Sequence, residues 1–159
     1  MNRAMTETDV PEPIETFLPD DDATARFGAE LAASLNPGDI VSLEGDLGAG
    51  KTALARAIIR ALAGDPGLEV PSPTFAIIQP YDTAGGPVLH ADLYRLADAT
   101  EADELGLLDD PEAIVLVEWA ARAEQVLAAA RLRVAMTIPP GGTGRIVVVT
   151  RLYDEAILR

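Results

Sequence analysis

The sequence has 159 residues, 48% of them apolar, a formal net charge of −14 and no cysteine. This length suits one domain with its own core, and the lack of cysteine excludes disulfides, thiolate metal sites and cysteine nucleophiles. The negative charge disfavours direct binding of nucleic acid, and no apolar run approaches the roughly 20 residues of a membrane span. We therefore expect a cytoplasmic protein with no membrane contact.

The first half of the chain predicts strand, helix, strand and helix in that order. Residues 1–13 are interpreted as a flexible acidic leader, and "IETFLP" (14–19) alternates like a strand. Residues 20–35 begin with acidic residues and then space apolar residues four apart, as in an amphipathic helix. The run "IVSLE" (40–44) predicts a second strand, and "TALARAIIRALA" (52–63) predicts a helix that stops at a glycine.

The second half predicts two hairpins separated by a buried strand. Two apolar segments, 74–81 and 87–94, flank "DTAGG" and predict antiparallel strands with a glycine turn. A short helix is predicted at 101–108. The nearly continuous apolar run "EAIVLVEW" (112–119) is typical of a central strand covered on both faces, and "AARAEQVLAAA" (120–130) predicts a helix.

The end of the chain completes the predicted fold. "RLRVAMTI" (131–138) and "RIVVVTR" (145–151) predict a hairpin across "PPGGTG", and residues 152–159 could form one terminal turn. Strands that alternate with helices and then end in a hairpin indicate an α/β domain over residues 14–159. Its sheet should be mixed, with a parallel centre and antiparallel hairpins, and flanked by helices.

The stretch "GDLGAGKT" joins the second strand to the next helix and matches G-x-x-x-x-G-K-[ST]. Glycines let consecutive N–H groups approach phosphate oxygens near the positive end of a helix. Lys51, the only lysine in the chain, would face the β and γ phosphates, and the Thr52 hydroxyl would bind Mg²⁺. We therefore predict a single P-loop NTPase-like domain. Its nucleotide-binding residues are Gly45, Asp46, Leu47, Gly48, Ala49, Gly50, Lys51 and Thr52.

Two acidic residues at the ends of apolar segments are candidates to hold the metal. Because α/β sheets bind ligands at the carboxyl ends of their strands, Glu118 is expected to be exposed at that edge and is the favoured acid. Asp92 is the second candidate. The alternatives are a helix or turn cap for Asp92 and an ordinary strand-end carboxylate for Glu118. His90, the only histidine, is interpreted as a hydrogen-bonded structural residue and not as a general base.

The stretch "DTAG" (82–85) resembles the D-x-x-G of small GTPases. Guanine recognition in those proteins also depends on an N-K-x-D stretch, and the only lysine here already lies in the glycine loop. Guanine specificity is therefore unsupported, and the segment is better interpreted as the turn of a hairpin.

Five motifs occur in an order that resembles the TsaE family: "GDLGAGKT", "SPTF" (72–75), "HADLYRL" (90–96), "ELGLLD" (104–109) and "LVEW" (116–119). The resemblance covers about residues 14–150. It implies an ATPase that supports synthesis of N6-threonylcarbamoyladenosine in tRNA with the TsaD and TsaB proteins, and that meets tRNA only through that complex. It also implies ATP and Mg²⁺ as cofactors. A small-molecule P-loop kinase and a nucleotide-gated binding module without turnover are the alternatives.

The resemblance also assigns catalytic roles. It implies that Thr52 and Glu118 coordinate Mg²⁺ and that Asp92 lies beside the metal and the attacking water. Thr74 of "SPTF" would lie near the γ-phosphate. Together with Lys51, these residues are the expected catalytic and metal-binding set.

A further group of residues is implied around the rest of the nucleotide. Trp119 would shape the site or relay its state, Asp21 and Thr24 would lie near the base, and Arg145 resembles a recurring arginine of the last hairpin. No arginine finger is evident in the loop region, with Arg95 as a possible exception. We therefore expect low turnover without the partner proteins.

Overall fold

The computed structural model describes residues 12–152, so most of the predicted leader and of the predicted terminal turn lies outside the described residues. The strands are β1 (Ile14–Leu18), β2 (Ile40–Glu44), β3 (Ile78–Thr83), β4 (Gly86–Asp92), β5 (Ile114–Glu118), β6 (Leu132–Thr137) and β7 (Arg145–Arg151). The α-helices are α1 (Asp21–Ser34), α2 (Lys51–Ala63), α3 (Thr100–Leu105) and α4 (Glu124–Ala129). Within residues 12–152, no helix combines the length and apolar character that a bilayer crossing requires.

The seven strands form one mixed sheet in the order β1-β7-β6-β2-β5-β4-β3. The four central strands, β6, β2, β5 and β4, pair in parallel, and the pairs at both edges are antiparallel. The predicted fold class is confirmed. Because parallel strands point the same way, the carboxyl ends of β2, β5 and β4 lie side by side at one edge of the sheet.

The central strand β5 shows how the sheet is covered on both faces. Ile114 and Leu116 belong to the core that packs under α1 and α2. Val115 and Val117 belong to a second core with residues of α3, α4 and the 3-10 turn Ala120–Arg122. Successive side chains of a strand point to opposite faces, so the helices lie on both sides of the sheet. This agrees with the prediction of a strand buried on both faces.

Two predicted elements differ from the structure, and the first is the start of β3. The apolar run from Thr74 predicted a strand, but residues 73–77 form a turn in which the N–H of Ile77 donates to the carbonyl of Pro73 at 2.6 Å. Ile77 has a φ of 68°, which is rare for a β-branched residue. The strand therefore begins only at Ile78, and Thr74 is left in the turn.

The second difference is the helix predicted at 120–130. It is divided into a 3-10 turn and α4, because Ala123 between them has extended backbone angles. Ala120, Ala123 and Val126 are all buried. A spacing of three residues between buried positions occurs in both 3-10 and α-helices. Alanine is compatible with both, so the composition alone could not separate them.

The "DTAGG" segment is a hairpin turn, as predicted. Thr83 ends β3 and Gly86 begins β4, so only two residues connect the strands. The turn lies at the amino end of β4, whereas Asp92 lies at the carboxyl end. The segment is therefore at the opposite edge of the sheet from the glycine loop and has no part in a site there.

Gly28 provides a direct test of the packing of α1 on α2. A Cβ at this position would lie 2.5 Å from the Cβ of Ala57 and 3.1 Å from its carbonyl carbon. We expect Gly28→Ala to lower the free energy of unfolding by about 1–3 kcal/mol, because the overlap outweighs the better helix propensity of alanine. Urea denaturation followed by circular dichroism measures this.

Gly67→Ala is the matched control, because the nearest atom to its added Cβ is 3.6 Å away, an ordinary contact. Its free energy of unfolding should change by less than about 0.5 kcal/mol. A Gly28→Ala protein as stable as the wild type would contradict the close helix packing.

Candidate functional site

The glycine loop ends in a helix N-terminus that no side chain caps. Gly50 precedes α2 with a φ of 105° and makes no side-chain capping bond. The first N–H groups of a helix have no acceptor within the helix. At α2 these groups, which include those of Lys51 and Thr52, are therefore available to an anion, and the helix dipole adds positive potential there.

The start of the loop requires glycine for a steric reason. Gly45 follows β2 with a φ of 145°, and a Cβ there would lie 2.5 Å from the carbonyl oxygen of Met136 in β6. Gly48 also has a positive φ, of 80°. The loop therefore leaves the sheet in a conformation that other residues rarely adopt.

Charged groups are buried at this edge of the sheet. The buried polar and charged side chains among residues 12–152 are Ser42, Lys51, His90, Asp92 and Glu118. All except Ser42 belong to the group around the ends of β4 and β5 and the start of α2. Because a buried charge is unfavourable unless it is paired or hydrogen-bonded, this concentration makes the edge the candidate functional site.

Glu118 lies at the carboxyl end of β5, as predicted, but the expectation that it is exposed is wrong. Its side chain is 4% exposed and accepts a hydrogen bond from the Thr52 hydroxyl, which lies 2.9 and 3.0 Å from its two oxygens. Nε2 of His90 lies 2.7 Å from its second oxygen, Oε2. Two donors distant in sequence therefore enclose the carboxylate. The hydrogen bond of His90 agrees with its interpretation as a hydrogen-bonded residue.

Asp92 pairs with Glu118 in the parallel register of β4 and β5. Its Oδ1 accepts the N–H of Tyr94 at 2.9 Å, so the alternative of a turn cap holds for one oxygen. Its Oδ2 accepts a longer bond, 3.4 Å, from the hydroxyl of Thr74. The N–H of Asp92 donates to the carbonyl of Ile77, so this residue also ties the turn that carries Thr74 to the sheet.

Lys51 is held against its own loop. Its ammonium group donates to the carbonyl oxygens of Gly45 at 2.5 Å and Asp46 at 3.0 Å. Burial lowers the pKa of Lys51, and the carboxylates of Glu118 and Asp92 act in the opposite direction. The ammonium group is therefore hydrogen-bonded to the carbonyls of its own loop and lies in the electrostatic field of the two carboxylates.

Trp119 covers this lysine. Its φ of 60° is unusual for a residue other than glycine, and its ring centroid lies 4.3 Å from the ammonium nitrogen of Lys51. The Trp119 ring lies 4.9 Å from that of Tyr94, which is 5.0 Å from the guanidinium of Arg122. The sequence analysis does not predict Tyr94 or Arg122 as site residues. Tyr94 follows Asp92 by two residues and Arg122 follows Glu118 by four, and this closeness in sequence is the signal that could have indicated them.

A cavity of 240 Å³ brings most of the predicted residues together. It is lined by Leu47, Gly48, Gly50, Lys51, Thr52, Ala53, Thr74, Asp92, Glu118 and Trp119. Its two threonine hydroxyls and two carboxylates are the hard oxygen donors that suit Mg²⁺. No group of three His, Cys, Asp or Glu suited to a metal occurs in the described part of the chain. A cation here would therefore need additional ligands, such as phosphate oxygens.

Three further predicted residues line an adjacent cavity of 190 Å³ that shares Gly50 and Ala53 with the first, whereas Gly45, Asp46 and Ala49 line neither cavity. Asp21 and Thr24, from the start of α1, and Arg145 lie on its wall. The guanidinium of Arg145 donates to the loop carbonyls of Ala49 at 2.9 Å and Gly48 at 3.2 Å. Arg145 therefore braces the glycine loop by hydrogen bonds to two of its carbonyl oxygens.

Arg95 does not line either of these cavities. Its guanidinium stacks 4.3 Å from the ring centroid of Phe75, the neighbour of Thr74. The Phe75 side chain is 81% exposed. In this arrangement Arg95 lies against the surface turn that carries Thr74.

Comparison with known proteins identifies a family. The sequence profile described as "Threonylcarbamoyl adenosine biosynthesis protein TsaE" matches residues 18–145. Three similar proteins are each named "tRNA threonylcarbamoyladenosine biosynthesis protein TsaE". The one from Synechocystis is 43% identical, covering 71% of this chain and 74% of that protein. The one from Rickettsia felis is 37% identical, covering 89% and 83%, and the one from Bacillus subtilis is 40% identical, covering 71% and 70%.

A solved structure supports the fold. The crystal structure of YdiB from Bacillus subtilis superposes with a TM-score of 0.69 and 25% sequence identity. The match covers 92% of this chain and 91% of that one. The arrangement of sheet and helices described above therefore also occurs in an experimentally determined protein.

Removing the guanidinium of Arg145 tests whether it braces the loop. We expect Arg145→Ala to lower the free energy of unfolding by about 1–3 kcal/mol, because bonds to charged donors are lost. Amide hydrogen exchange at residues 45–50 should accelerate, as measured by mass spectrometry. Arg151→Ala, an exposed arginine on the same strand, is the control and should leave loop exchange unchanged. Equal exchange in both variants would contradict the bracing role.

Proposed function

The chain belongs to the TsaE family of tRNA threonylcarbamoyladenosine biosynthesis proteins, and we propose that it acts there as a Mg²⁺-dependent ATPase in the cytoplasm. The observation that carries this proposal is the meeting of buried Lys51, Asp92 and Glu118 at an uncapped helix N-terminus. A glycine loop, a lysine and two carboxylates are the components that phosphoryl transfer to water requires.

The nucleotide would extend across the two adjoining cavities. Its phosphates would accept hydrogen bonds from the N–H groups of residues 45–52, with Lys51 as the opposing positive charge. The base would enter the 190 Å³ cavity, where Asp21 and Thr24 offer a carboxylate and a hydroxyl. These groups are suited to the amino group and ring nitrogens of adenine. Arg145 would act indirectly, by holding the loop.

The residues of the larger cavity also fit a magnesium ion. When bound, Mg²⁺ would neutralise phosphate charge and orient the reacting groups. Thr52, Glu118 and Asp92 would hold it through oxygen atoms, as is usual for a cation shared with phosphates. Lys51 would stabilise negative charge on the transferred phosphoryl group, and Asp92 would orient the attacking water. Thr74 and Trp119 would close the sides of the pocket.

The exposed residues around the pocket are suited to contact with a partner protein. Leu47 is 71% exposed and Phe75 is 81% exposed, and Tyr94 is also exposed beside the stacked Arg122. Exposed aromatic residues with arginine are typical of protein interfaces. We assign this surface to the TsaD and TsaB proteins. Contact with tRNA would occur only through that complex, because the chain carries a net charge of −14.

Phosphate release with and without the partners tests this proposal. We expect slow ATP hydrolysis by the chain alone, because no arginine lines the 240 Å³ cavity. Hydrolysis should rise sharply when purified TsaD and TsaB are added, since a supplied arginine can be worth about 10³–10⁵ in rate. Lys51→Ala should abolish hydrolysis in both conditions, and Arg151→Ala should behave like the wild type.

The other outcomes separate the alternatives. Equal rates with and without the partners would contradict the partner assignment, and full activity of Lys51→Ala would refute the site. Transfer of phosphate to a small metabolite would favour a kinase. Tight ATP binding without hydrolysis, even with both partners present, would favour a nucleotide-gated binding module.

A further inference from the structure

We propose that His90 is a positioning residue of this site, and that Nε2 of its imidazole donates a hydrogen bond to Glu118 and holds that carboxylate in place. The function of Glu118 in this inference rests on the proposed ATPase activity. The hydrogen bond of His90 itself does not, because it is a contact within the folded chain.

The position of His90 follows from strand register. His90 lies two residues before Asp92 on β4, so both side chains point to the same face of the sheet. Asp92 is aligned with Glu118 on β5, and His90 is aligned with Leu116. The imidazole therefore lies on the same face of the sheet as the two carboxylates, one residue pair farther from the carboxyl edge. It is fully buried, and Nε2 is 2.7 Å from Oε2 of Glu118.

The carboxylate determines the direction of this hydrogen bond. A carboxylate accepts hydrogen bonds and cannot donate them, so the imidazole nitrogen that faces Glu118 must carry the hydrogen. Nδ1 of His90 is buried and has no hydrogen-bond partner among the described residues. Nε2 is therefore the nitrogen through which the ring contacts the site.

The hydrogen bonds of Glu118 show why this donor matters. The Thr52 hydroxyl lies 2.9 Å from Oε1 and 3.0 Å from Oε2, but it has only one hydrogen to donate. The same hydroxyl is the group expected to turn to the metal. When it does so, His90 is the remaining described donor to the carboxylate. His90 therefore fixes Oε2 and leaves Oε1 directed to the pocket, as residues behind metal ligands commonly do.

Nuclear magnetic resonance on the full chain tests this hydrogen bond without nucleotide. His90 is the only histidine, so long-range ¹H–¹⁵N correlation of ¹⁵N-labelled protein at neutral pH reports one imidazole. We expect a hydrogen on Nε2, the nitrogen that faces Glu118. An Nε2 without a hydrogen would overturn the proposal.

A pair of variants tests the positioning role. His90→Leu removes the donor at similar volume, whereas the amide nitrogen of His90→Gln can reach the place of Nε2. Calorimetry should show that His90→Leu weakens ATP affinity in Mg²⁺ buffer by roughly 10- to 100-fold, with little change when Mg²⁺ is removed by chelation. His90→Gln should recover most of that loss.

Three outcomes distinguish failure of the positioning role of His90 from failure of the proposed function. Wild-type affinity in His90→Leu would overturn the proposal, and so would an equal loss in both variants that persists without Mg²⁺, since that indicates a merely structural residue. If the wild type binds no ATP at all, the proposed function fails instead. The resonance measurement then still decides whether His90 donates to Glu118.

Discussion

The carboxylates of Asp92 and Glu118 and the ammonium group of Lys51 lie at the edge of the sheet where three parallel strands end. All three residues are almost fully buried. A buried charge is tolerated only when other groups replace its hydration. Glu118 has the donors of Thr52 and His90, Asp92 has the N–H of Tyr94, and Lys51 has two loop carbonyls. The partners of Glu118 come from two other elements, so its hydrogen bonds with Thr52 and His90 fix the positions of α2 and β4 relative to β5.

The same constraint explains the unusual backbone beside the site. Ile77 and Trp119 are the non-glycine residues with positive φ within residues 12–152, a conformation that costs of order 1–3 kcal/mol. Each is held by contacts to the charged group: the carbonyl of Ile77 accepts the N–H of Asp92, and the Trp119 ring lies over Lys51. The strained residues therefore flank the two acids and shape the pocket walls.

The sequence predicted the elements that carry strong local signals. Residues 40–44 and the helix ending at Gly64 were located closely, because an apolar run and then glycines mark their boundaries. The turn before β3 was missed because its apolar residues look like a strand, and the bond that closes it is not visible in composition. The exposure of Glu118 could not be predicted either, because Thr52 lies 66 residues away in sequence. Whether Arg145 contacts the nucleotide or the loop was likewise undetermined, since a hairpin arginine can do both.

The central claim is that this edge of the sheet captures the phosphates of a nucleotide, and calorimetry tests it most directly. The intact protein should bind ATP and ADP in magnesium buffer with measurable heat, and Lys51→Ala should lose most of that affinity because the charge facing the phosphates is removed. No uptake of either nucleotide by the folded wild-type protein, checked by circular dichroism in the same buffer, would contradict the account.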